Sequence, residues 1–104
     1  MSSEEINIII QVINAIDHDW FLSDDSDSHS YMTLVDNNRS IKNDLKPLKS
    51  IIKKMEEDDL IMTDDHFGKR EYMELLGDSY PIPFVYIYQV TKQGRVFEAM
   101  HSKK

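Results

Sequence analysis

Isoleucine sets the first rhythm of the chain. Ile6, Ile9, Ile13 and Ile16 recur at steps of three and four, with Ile10 beside them, behind Ser3, Glu4 and Glu5. That spacing puts apolar side chains on one face of a helix of roughly three to four turns. Ser3 stands where a cap belongs, and the two acids lie where the helix dipole favours them. Trp20, Phe21 and Leu22 are expected to end this helix against the core. Residues 23–30 contain only serine, aspartate and histidine, and are read as a mobile acidic loop. Residues 31–36 alternate weakly and fit either a short strand or a helix, before Asp36, Asn37 and Asn38 mark a turn.

From Asp44 the pattern is helical again. Leu45, Leu48, Ile52 and Met55 form an apolar stripe, with Asp44 as cap and Pro47 in the first turn, where its missing N–H does no harm. Lys42, Lys46, Lys49 and Lys53 recur at steps of four, three and four. At about 100° per residue they share a face roughly a quarter-turn from the apolar stripe. Glu56 to Asp59 then oppose the dipole at the carboxyl end, which predicts that the helix stops there.

Residues 60–63 read as a short strand and residues 64–68 as a turn. Residues 70–76 fit a strand or a single helical turn, and residues 77–83 form a loop held open by Pro81 and Pro83. The densest β-branched and aromatic run, residues 84–90, predicts one strand with Phe84, Tyr86 and Tyr88 on the same face. Thr91 is expected to cap a last helix from Lys92 to about His101, with Val96, Phe97 and Met100 facing inward.

No repeat or linker divides these elements, so residues 1–104 are read as a single α+β domain. The chain lacks cysteine, which excludes disulfides, thiolate zinc sites and thiol nucleophiles and fits a reducing, cytoplasmic setting. No apolar run nears the roughly 20 residues of a membrane helix, and the first residues lack the basic start of a signal peptide, so a soluble protein without a membrane partner is expected. The net charge of −7 argues against nucleic-acid binding by the whole surface. Its distribution changes that picture. Residues 1–38 carry eight acids and no Lys or Arg, whereas Arg39, Lys42, Lys46, Lys49, Lys53 and Lys54 crowd residues 39–54 against Asp44 alone. Residues 55–68 are acidic again, so a DNA contact is confined to one edge.

Two stretches resemble a known family. Residues 48–61, Leu48 to Ile61, look like the end of a recognition helix and the turn into a wing strand, with Asp59 where a glycine commonly precedes the Leu-Ile pair. Residues 86–97 are similar to a last wing strand followed by Thr91, a short turn, Gly94-Arg95 and a closing helix. Both resemble the winged helix-turn-helix domain of bacterial, archaeal and phage transcriptional regulators, over residues 44–62 and 84–101, less than half of the chain. The second helix of that motif is not evident between Tyr31 and Ser40. The resemblance implies three to four helices, a small antiparallel hairpin over residues 62–90 as the wing, and the helix of residues 44–60 as reader. It also implies double-stranded DNA as partner and a homodimer joined through terminal helices. Ile8 and Val12 beside the isoleucine row suit such a contact. Lys42, Asn43, Lys46, Lys49 and Lys53 would then face DNA, with Arg39 near the start of the helix and Lys69 and Arg70 in the wing.

Other chemistry lacks the residues it requires. Asp24, Asp25, Asp27 and His29 lack the glycine and distal glutamate of a calcium loop, and the neighbouring acids and histidines at 17–19 and 64–66 point to different sides. No phosphate loop, nucleophile elbow or zinc-protease motif is present, so no enzyme, metal or cofactor is expected. The alternative to DNA binding is a protein-interaction module or nucleic-acid mimic, whose acidic segments 1–38 and 55–68 engage a basic protein partner.

Overall fold

Nine short elements follow one another in an α+β arrangement, described for residues 2–24, 30–36, 38, 40–63, 69–71 and 84–101 by a computed structural model. The first helix, α1, spans Ser3–Asp17. Its cap is Ser2, one residue before the position expected. Glu5 N–H donates to Ser2 Oγ at 3.1 Å, and Ser2 N–H donates to the Glu5 carboxylate at 3.2 Å, a reciprocal capping box. Asp19, at φ 64°, turns the chain out of the helix in the left-handed region. Asp19 N–H bonds Ile16 O and Trp20 N–H bonds Ala15 O, closing the end in a Schellman motif. The chain is therefore free to extend immediately, and Phe21–Asp24 form strand β1 instead of ending the helix.

Strand β2, Met32–Val35, resolves the ambiguity of residues 31–36 in favour of strand. It pairs antiparallel with β1, with Leu22 opposite Leu34 in the core and Ser23 opposite Thr33, also buried. Ser23 and Asp24, expected in the mobile loop, belong instead to β1, where Ser23 pairs opposite Thr33 and is buried, and residues 25–29 of that loop lie outside the described residues. Asp36 Oδ1 accepts N–H bonds from Asn38 and Ser40, which makes the turn expected there.

The second helix, α2, is Lys49–Glu57, shorter than the 44–60 helix expected and without a capping side chain on Leu48. Backbone bonding explains the late start. Lys42 N–H donates to Leu34 O, Met32 N–H to Pro47 O and Lys49 N–H to Ser30 O, while Ile41 and Leu48 form bridges with Val35 and Tyr31. Residues 40–48 are thus held at both ends along the open edge of β2, with a turn at Asn43 and Asp44 between, and Pro47 biases Lys46 against helix. Asp44 is an exposed turn residue rather than a cap, and Pro47 is buried. At the other end, Asp59 adopts φ 61°, Asp59 N–H bonds Glu56 O and Leu60 N–H bonds Met55 O. The position that commonly holds glycine has the backbone conformation glycine favours.

Strands β3 (Ile61–Thr63), β4 (Lys69–Glu71), β5 (Phe84–Tyr86) and β6 (Tyr88–Val90) follow. The single strand expected over residues 84–90 is divided at Ile87, because its halves have different partners: β5 pairs with β4 and β1, and β6 with β3. The expected hairpin is present in these two ladders, but β5 also joins it to β1 in a four-stranded sheet of order β2-β1-β5-β4. Of the ambiguous 70–76 region only residues 70 and 71 are described, within strand β4. The turn at residues 64–68 and the loop at residues 77–83 lie outside the described residues.

The last helix, α3, is Lys92–His101. Thr91 caps it as expected, its hydroxyl accepting from Gly94 N–H at 3.0 Å and donating to Asp59 O. Gly94 seats the helix on the end of α2: a Cβ there would stand 2.2 Å from Leu60 O. Phe97 packs against the core, but Val96 and Met100 are exposed, contrary to the inward orientation expected of them. The short strands below α3 leave its outer side uncovered by described residues, so only the Gly94/Phe97 side packs inward. The core itself gathers Ile9, Val12 and Ile13 from α1, Leu22 and Leu34 from the sheet, and Ile51, Ile52 and Met55 from α2. Val12 is fully buried and Ile8 packs on the same core, which absorbs part of the apolar surplus of α1.

Candidate nucleic-acid interface

Of the expected lysine row, α2 retains Lys49 and Lys53, at i and i+4 on one face. They line a groove of about 400 Å³ with Met32, Ile52, Glu56, Tyr86 and Tyr88. The β5–β6 break places the two tyrosines on one wall, with ring centroids 6.4 Å apart and planes inclined at 31°. Met32 and Ile52 are buried and give the groove an apolar floor, Lys53 is exposed, and Lys49, Tyr86 and Tyr88 are half-buried. The site therefore joins two cations to two aromatic side chains, with one carboxylate, Glu56, at the next turn of the same helix.

The remaining expected residues are dispersed. Lys42 and Lys46 precede α2 on either side of the turn at Asn43 and Asp44, so they do not continue its lysine row. The Lys42 ammonium lies 5.5 Å from the centre of the Trp20 ring and 3.4 Å from the Asp44 carboxylate. It belongs to a second cleft of about 420 Å³, lined by Gln11, Asn14, His18 and Trp20, which shares no residue with the first. Asn43 and Lys46 are exposed and line neither cleft. Lys69 and Arg70 lie in β4, in register opposite Tyr86 and Val85. Arg39 lies outside the described residues.

Comparison with protein-family models, curated proteins and solved structures finds no match.

Sequence reasoning placed Tyr86 and Tyr88 together on one strand face but did not link them to α2. Their spacing of two was the available signal; the pairing of β5 with β1 and of β6 with β3 was not legible. A second unexpected feature is the fork between α3 and α1. Arg95 Nη1 and Nη2 donate to the two oxygens of Asp17, each at 2.7 Å, and Nη1 also reaches Glu98 at 3.3 Å. These bonds hold the Asp17 carboxyl below its ordinary range, outweighing the upward push of partial burial, and raise the pKa of Arg95 further. The pair fastens the two helices on the surface, separate from the groove. Among the described residues no group of three or more His, Asp or Glu side chains is placed to hold a metal ion, and no helix is long and apolar enough to cross a membrane.

Proposed function

We propose that this chain is a small winged-helix-like DNA-binding domain of the kind used by transcriptional regulators, with α2 as contact helix and the β3–β6 hairpin as wing. The observation that supports it is the groove in which Lys49 and Lys53 face Tyr86 and Tyr88. Lysines there neutralise phosphates, while the acidic remainder of the surface turns DNA away from other orientations. Affinity for labelled DNA is expected to fall roughly tenfold to fortyfold between about 50 and 200 mM salt, as for a contact with two to three phosphates. Binding that is absent, or insensitive to salt, contradicts the proposal.

The four consecutive exposed acids Glu56, Glu57, Asp58 and Asp59 favour a second reading, a non-enzymatic module that engages a Lys/Arg-rich protein. Substituting Asp58 and Asp59 by Asn separates the two: it weakens a basic protein partner but leaves DNA affinity equal or higher.

A further inference from the structure

We infer that the α2 groove takes unpaired nucleotides, so that the domain prefers single-stranded DNA to a duplex. This rests on the reading of the α2 groove as a DNA contact, and puts a single strand where a winged-helix regulator would hold a duplex. Reading a duplex through its major groove calls for a projecting helix with cations spread along the backbone track. Here α2 has nine residues, about 13 Å of helix, and Lys42 and Lys46 do not lie on it. Lys49 and Lys53, about 6 Å apart along the axis, are enough for neighbouring phosphates of one strand. Glu56 follows at the next turn in the same groove and ends the cationic run.

The opposite wall decides between the two forms. Tyr86 and Tyr88, which also pack on the core, line the groove together with the buried Met32 and Ile52, their ring centroids 6.4 Å apart. A base offers its face to such rings only when it is neither paired nor stacked in a helix, and lysines beside stacking aromatics are the usual means of holding single strands. The volume of about 400 Å³ lies near the lower end of the ~300–1,000 Å³ that enclose one small ligand, which suits a nucleotide and not a double helix.

The test is fluorescence anisotropy of the full chain with a short labelled thymidine oligonucleotide and with a duplex of the same length, at one salt concentration. The single strand is expected to bind roughly tenfold more tightly, a difference within the range of one or two stacked bases. Tyr88→Leu, which keeps apolar bulk, is expected to lose about fivefold or more for the single strand and little for the duplex, and Tyr88→Trp to retain the wild-type preference. Duplex binding as tight as or tighter than the single strand overturns this inference and leaves the DNA-binding reading standing. No binding to either removes both. The wild-type comparison decides the matter even if a tyrosine variant fails to fold.

Discussion

Helices α1 and α2 pack on the same core, yet their ends are built by opposite rules. The first has a reciprocal cap from Ser2 and Glu5 and acids in its first turn. The second has no capping side chain and begins with Lys49, and Glu56, Glu57 and the two aspartates that follow crowd its carboxyl end; Lys54 alone in its last turn has the favourable sign. Helix α2 is therefore held by Ile51, Ile52 and Met55 in the core and by the segment 40–48 clamped along β2, not by its own terminal signals. Its local inconsistency coincides with the cations of the groove. That is the pattern expected where a segment keeps charge for contact at the expense of stability.

Removing what each helix depends on tests this contrast. Met55 is fully buried, and Met55→Ala is expected to destabilise the fold by about 2–5 kcal/mol in urea unfolding. Ser2→Ala, which takes the cap from α1, is expected to cost only about 1 kcal/mol. Equal losses would mean that α2 does not lean on the core as described. A smaller gain is expected from repairing α2: Asp59→Gly relieves a left-handed aspartate and removes an anion from the helix end, adding about 0.5–1 kcal/mol to the same unfolding measurement. A loss there would contradict the reading of its strain.

The smallest effect concerns the fork that ties α1 to α3. Arg95 depresses the Asp17 carboxyl in the folded state, so the unfolded chain binds that proton more readily as pH falls. The stability it adds is present above about pH 4 and disappears as pH drops through the lowered native value. Because the pair is exposed, Arg95→Gln is expected to cost less than about 1 kcal/mol near neutral pH and nothing in strong acid. Thermal melts across that pH range check both limits; a penalty that persists in acid would assign Arg95 a packing role instead.

Much of the architecture was legible in the sequence, for identifiable reasons. The isoleucine period located α1, with its cap one residue off and its end three residues short of Trp20, and Thr91 marked the start of α3. Terminal signals misled where the chain makes contacts distant in sequence. Asp44 and Pro47 imitate a helix start, but backbone pairing of residues 40–48 with β2 overrides them. Phe21 and Leu22 read as a helix end because their partners Val35 and Leu34 lie across a stretch with no apolar side chain. The lysine row failed for the same reason: its period was helical, but half of it falls before the helix begins. What survived, Lys49 and Lys53, gained meaning only when Tyr86 and Tyr88 arrived from the other end of the chain.

The most direct test changes the groove's charge and follows affinity and stability in the same protein. Lys49→Glu with Lys53→Gln puts an acid into the first turn of α2, where it helps the helix by about 0.3–1 kcal/mol, and adds no further anion to the crowded carboxyl end. It also removes both cations from the groove. Affinity for DNA is expected to fall at least about tenfold while the melting temperature holds or rises. Undiminished affinity in that folded variant would contradict the claim that α2 gives up stability to bind DNA.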